Sequence, residues 1–179
     1  MGRRTTHRLA LAATGLLALA ACVVNLSFDM DQAGVLVQTA LAGSVPSQSV
    51  LIDLGTYPDV RAHQKDIRSL DLEYVDVTIT DIKAATNQAK VLGLTLALRK
   101  NMSDPPAQDL KIGDVQSFQV IPQGRQRIPG NPELDTFLLD RLHDGGKFYL
   151  VISGTTDGRT DIVLDVNLHA SMAYDTGLF

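Results

Sequence analysis

The chain has 179 residues, 45% hydrophobic and 5% aromatic, with 16 Lys and Arg against 20 Asp and Glu for a formal net charge of −4. That length fits one domain, able to bury roughly two-thirds of its unfolded surface without disulfide or metal support. The acidic balance lacks the basic footprint of phosphate-backbone binding, which argues against nucleic acid, and a single cysteine excludes an internal disulfide framework.

Arg3, Arg4 and Arg8 precede an apolar run from Leu9 to Leu19, the layout of a secretory leader. The run is too short to cross a hydrocarbon core, which takes about 20 residues. It closes on Leu19-Ala20-Ala21-Cys22, which resembles the lipobox of bacterial lipoproteins. The resemblance implies that residues 1–21 are a signal peptide, that Cys22 is lipidated, and that residues 22–179 form a single lipid-anchored domain. Val23, rather than aspartate, follows the cysteine; by the same resemblance this points to the outer membrane, facing the periplasm or the cell surface. In a Gram-positive source it would mean the outer face of the cell membrane. Loss of the three arginines takes the net charge from −4 to about −7, which disfavours direct polybasic docking on anionic lipid.

The rest of the chain alternates with period two, the signature of half-buried strands. Val24, Leu26, Phe28 and Met30 predict a first strand, and Val35 to Val37 a second after a break at Gln32-Ala33-Gly34. Gly43 to Ser49, with Pro46, reads as a turn region, followed by a strand at Val50, Ile52 and Leu54. Thr56 to Ile67 is a short helix or an irregular crossover, Pro58 suiting an early helical position. In Leu70 to Ile82 the apolar residues change parity, from Leu70 and Leu72 to Val75, Val77 and Ile79. A bulge, or a strand passing between sheets, produces such a switch. Further strands are expected at Leu92 to Leu98 and Val115 to Ile121, with the Pro105-Pro106 segment between them outside the sheet.

Pro122 to Pro132 reads as a loop with three prolines and two glycines. Asn131-Pro132-Glu133 then supplies an N-cap, a first-turn proline and an acid at the positive end of a helix. Leu134, Phe137, Leu138 and Leu142 share one face of it, and Gly145-Gly146 ends it. Phe148, Leu150 and Ile152, with Ile162, Leu164, Val166 and Leu168, predict a closing hairpin turning at Thr155 to Thr160. Together these make an all-β chain, an antiparallel β-sandwich of Ig-like or jelly-roll-like type, with one amphipathic helix near 131–144. A membrane-spanning barrel is disfavoured: Phe179 ends the chain as in many outer-membrane barrels, but the strands are few and no aromatic girdle is visible. From Val50 to Tyr174 the pattern is similar to that of small bacterial lipoproteins with one β-sandwich, some like the late-embryogenesis-abundant type domain. That likeness transfers no functional residues.

Chemistry is sparse. His63, His143 and His169 stand apart from one another and from any cysteine, so local metal-ligand spacing is lacking. There is no Gly-x-Ser-x-Gly elbow. Asp71, Glu73, Asp76, Asp81, Asp161 and Asp165 fall on the polar parity of strands, where solubility alone would put them. Neither Asp29 with Asp31 nor Asp157 with Asp161 completes a calcium loop, and with no tryptophan an aromatic sugar platform is lacking. What stands out is the candidate partner-binding loop, where Arg125 and Arg127 flank Gln126 in an otherwise acidic chain. The expectation is a non-enzymatic binding or assembly module at the cell envelope, with no metal or cofactor. It would be held to the membrane by the lipid on Cys22 and would meet an envelope protein partner. A carrier of a lipid or other apolar ligand is the alternative, and a hydrolase the third reading.

Overall fold

A computed structural model describes residues 23–176. The leader, Cys22 and Phe179 lie outside the described residues. Among the described residues there are eight strands: β1 (Val23–Thr39), β2 (Gly43–Asp53), β3 (Ile67–Ile82), β4 (Val91–Arg99), β5 (Leu110–Gln119), β6 (Arg125–Pro129), β7 (Lys147–Thr156) and β8 (Thr160–Asp175). A short helix α1 (Pro58–His63) joins β2 to β3, and the longer α2 (Pro132–His143) precedes β7. The strands form two antiparallel four-stranded sheets in the orders β1-β8-β3-β6 and β2-β7-β4-β5. Successive strands alternate between the sheets except for β4 and β5, which pair within one; β1 pairs with β8 and β2 with β7, which is the connectivity of a jelly roll.

The inward rows meet in one core. Leu92, Leu94, Leu96, Phe118, Phe148 and Ile152 come from one sheet, and Met30, Val77, Ile79, Leu164, Val166 and Leu168 from the other, all at most 1% exposed. Truncating any of these leucines to alanine would cost about 2–5 kcal/mol. The leucine rows that suggest an apolar-ligand carrier are thus packed against one another in a single cluster.

Parity changes in the sequence are bulges. Val23 to Thr39 is one strand rather than two: its register on β8 slips between Gln32 and Val35, with Gly34 at φ +75° and its N–H donated to Asp165 Oδ1 at 2.9 Å. Gly43 to Ser49 is likewise strand rather than turn, with Pro46 inside a register slip between Val45 and Gln48 on an edge strand, a place where a missing donor costs no ladder bond. The switch in Leu70 to Ile82 is a bulge at Glu73, between the pairs Leu72↔Ala170 and Tyr74↔His169, and all of β3 stays in one sheet.

The closing hairpin is not formed. β7 pairs with β2 and β4, while β8 pairs with β1 and β3 in the opposite sheet. The two inner rows face each other across the core because the segment at Asp157 to Arg159 crosses between sheets. Two buried hydroxyls, Thr156 and Thr160, brace that crossing at 2.6 Å.

α2 begins as its sequence dictates, with Asn131 accepting from the N–H groups of Glu133 and Leu134. Leu134, Leu138 and Leu142 are buried. Asp135 Oδ1 accepts the Leu72 N–H at 2.8 Å, beside the Glu73 bulge, and the Gly130 N–H donates to the Glu73 carbonyl at 2.9 Å. A Cβ on Gly130 would lie 1.5 Å from the Leu72 oxygen, so only glycine permits that approach.

Candidate functional site: an arginine pair on a polar sheet face

Arg125 and Arg127 are on strand β6, not in a loop. Residues 125–129 pair with β3 as an edge strand, setting Arg127 opposite Asp76 and Arg125 opposite Thr78. The prolines and glycines of the segment lie mostly outside this short strand; Pro129 is its last residue, where an edge tolerates a missing donor. Because side chains alternate along a strand, Arg125 and Arg127 stand on one face while Ile128 turns into the core at 6% exposure.

Register builds rungs across the outer face of the β1-β8-β3-β6 sheet. One runs Asp29, His169, Tyr74; the next Asp31, Asn167, Asp76, Arg127; the third Asp165, Thr78, Arg125. Asp76 is the hub. Its side chain is 5% exposed, whereas those of Arg125 and Arg127 remain 57% and 51% exposed. Arg127 grips it with a two-pronged fork, Nε to Oδ1 at 2.9 Å and Nη2 to Oδ2 at 2.7 Å, and Arg125 adds a hydrogen bond to Oδ2. The hydrogen bonds from Arg127 hold the Asp76 carboxyl at about 2, against the upward push of burial and with Arg125 reinforcing them. Two guanidinium groups on one carboxylate leave a net positive charge, aimed at solvent and fixed in position.

Aromatic contacts stiffen the array. The Arg127 guanidinium lies 3.5 Å above the centre of the Tyr74 ring, a cation–π geometry. Tyr74 stacks in turn on His169 with ring centres 4.6 Å apart. His169 Nδ1 is 2.7 Å from Asp29 Oδ1, its Nε2 is 3.7 Å from Glu73 Oε2, and its hydrogen bond lowers the pKa of Asp29. Asn167 donates to Asp31 Oδ1 at 2.6 Å. Asp31, Asp76, Thr78, Asp165 and Asn167 line a shallow cleft of about 290 Å³ beside the hub.

The other sequence candidates are held apart. Asp157 accepts the backbone N–H groups of Lys90 and Val91, and Asp161 accepts from Gln38 and Thr86. His63 stacks on Tyr174 at 3.7 Å, and His143 closes α2. Among the described residues no group of three His, Cys, Asp or Glu side chains is placed to hold a metal ion. The sequence offers Asp76 and His169 only as separate residues, and nothing in it joined them or Tyr74 to the arginines. The signal was the Arg-x-Arg spacing, which on a strand places both cations on one face and asks for a carboxylate opposite. Reading 122–132 as a loop hid it.

No family model matches the chain, and no curated protein matches it. Among solved structures the chain is similar to one of desmodium yellow mottle tymovirus, at 10% identity and a TM-score of 0.40, covering 98% of this chain and 99% of that one. A decameric BFDV capsid protein matches at 8% identity and a TM-score of 0.43, over 84% of this chain and 99% of that one. Turnip yellow mosaic virus matches at 13% identity and a TM-score of 0.34, over 99% and 93%. None of these likenesses indicates what the chain binds or does.

Proposed function

We propose that the domain is a non-enzymatic binding and assembly module of the cell envelope, held at the membrane by a lipid on Cys22, and that it meets a protein partner through the outer face around Arg125 and Arg127. One observation carries the reading: both guanidinium groups are fixed on a buried carboxylate yet half exposed. Arginine and tyrosine held rigid before contact are the residue types that dominate binding energy at protein interfaces, and a pre-ordered side chain loses little entropy on docking. The partner surface would be acidic opposite Arg125 and Arg127.

The test is capture of partners by the lipidated protein from detergent-solubilised membranes. Changing the arginines alone would strand the buried Asp76 charge, which is strongly destabilising. The informative variant therefore carries Asp76→Asn, Arg125→Gln and Arg127→Gln together. A stoichiometric protein held by the parent chain and lost with this folded variant supports the module. Retention of the same partner by the variant moves the interface elsewhere. A bound lipid with no protein partner would make the chain a carrier instead.

A further inference from the structure

The two ends of the sandwich differ in what they present. The starts of β1, β3, β5 and β7 and the ends of β2, β4 and β8 lie at one end, as the antiparallel registers require: Val23 pairs with Asp175, Ile67 with Tyr174, Asp53 with Lys147, and Arg99 with Tyr149. The connections at the opposite end are the β1–β2 turn with Leu41, the 83–90 loop, the 120–124 turn and the 157–159 crossing.

On the outer face of the β2-β7-β4-β5 sheet, next to the end where β1 begins, is a cleft of about 340 Å³. Its apolar part is Leu51 and Met102, 49% and 58% exposed, beside Tyr149. Its charged part is Lys100, Lys147 and the buried Arg141, together with the carboxylate of Asp144. Arg141 and Lys100 share one carboxylate, Asp144, at 2.9 and 3.2 Å, and Lys147 is 3.3 Å from Asp53. Three cations against two carboxylates give this rim a positive excess, although the chain as a whole is acidic. Exposed Leu and Met rimmed by long cationic side chains suit a bilayer interface, where the apolar atoms enter the acyl boundary and lysines reach the headgroups.

We infer that this end of the sandwich lies against the lipid surface, with Met102 and Leu51 at the headgroup–acyl boundary and Lys100 and Lys147 on lipid phosphates. The inference rests on the reading of Cys22 as the anchor. Cys22 adjoins Val23, the first residue of β1, and consecutive Cα atoms are about 3.8 Å apart. The acyl chains would thus leave from the same end as the cleft, with no spacer to let the domain turn over. The net charge opposes adsorption of a free domain; the lipid supplies the attachment, and the cleft decides which side faces the membrane. The opposite end, with Leu41, and the arginine face are then left clear for a partner.

The experiment uses the lipidated chain in vesicles of phosphatidylethanolamine and phosphatidylglycerol. An environment-sensitive dye is attached through Met102→Cys in one preparation and Leu41→Cys in another; both positions are exposed, at 58% and 78%. Flotation with the vesicles reads the anchor, and quenching by lipids brominated near the headgroup reads the orientation. The expected result is flotation of both, with quenching at position 102 several-fold stronger than at position 41. Adding Lys100→Glu and Lys147→Glu is expected to bring quenching at position 102 down several-fold while flotation persists. Flotation with equal quenching at the two positions, or with stronger quenching at 41, overturns the orientation and leaves the anchor standing. Failure to float overturns the anchor, and the orientation with it.

Discussion

Asp76 shows how much one residue's surroundings decide. Flanked by Val75 and Val77 on a strand's polar parity, it reads as an ordinary solubilising acid. In the fold it is 4% exposed and bound by two arginines. Its folded-state pKa, held at about 2 by those arginines, lies below the value near 3.9 of an unfolded aspartate. The stabilisation is therefore nearly complete above about pH 4 and is lost as the pH falls toward 2, and amounts to about 2–3 kcal/mol at neutral pH. The Asp76→Asn variant is expected to be less stable by that amount at pH 7 and to show a flatter loss between pH 4 and 2. Denaturant midpoints across that range measure both, and curves that stay parallel to the parent's would refute the assignment.

Among the elements, the join between α2 and β3 is the most sharply specified. The cap at Asn131 starts the helix, Asp135 takes the Leu72 N–H, and Gly130 passes so close to the Leu72 carbonyl that any side chain collides. Asp135 is there at a cost: burial raises its pKa, and the Leu72 N–H offsets only part of that. Gly130→Ala is predicted to destabilise by more than about 3 kcal/mol, since backbone must move to admit the methyl. A thermal melt within a degree or two of the parent would show that the helix does not press on the strand in this way. The β6 strand hangs from the same bulged region, so the variant is also expected to loosen the arginine pair, read as the loss of the extra acid stability that Asp76 provides.

For the molecule as a whole, β8 is the strand that everything in its sheet depends on. It pairs with β1 along one side and β3 along the other, and it contributes Ile162, Leu164, Val166, Leu168 and Met172 to the core. Removing residues 160–176 would leave β1 without a partner and β3 with only the short β6, and would open the core from one side. The truncated chain is expected to show no cooperative unfolding transition by circular dichroism; a sharp melt would mean that the other sheet folds alone. Because β1 must find β8 across nearly the whole chain, refolding is expected to be slow for the size of the domain, as non-local pairings are.

Local signals in the sequence settled part of the local structure, although Gly43 to Ser49 and residues 125–129, read as turn and loop, are strand. Period-two alternation located the strands from Leu70 to Ile82 and from Leu92 to Leu98, the Asn-Pro-Glu start and Gly-Gly stop located α2, and the parity change in β3 announced its bulge. These depend on each residue's own preference and its near neighbours, so they survive in a one-dimensional reading. The tertiary structure alone decided which strands pair. Residues 148–152 and 162–168 look like a hairpin, but the crossing at 157–159 sends them to opposite sheets, and short alternating strands carry no mark of their partner. It decided that the break at Ala33-Gly34 was a bulge in one strand rather than the end of two, because only the β8 register continues through it. It also brought Arg125, Arg127, Tyr74, Asp76 and His169 onto one face, from segments as much as 95 residues apart, between Tyr74 and His169. Side-chain alternation placed each of them outward; the sheet order placed them together.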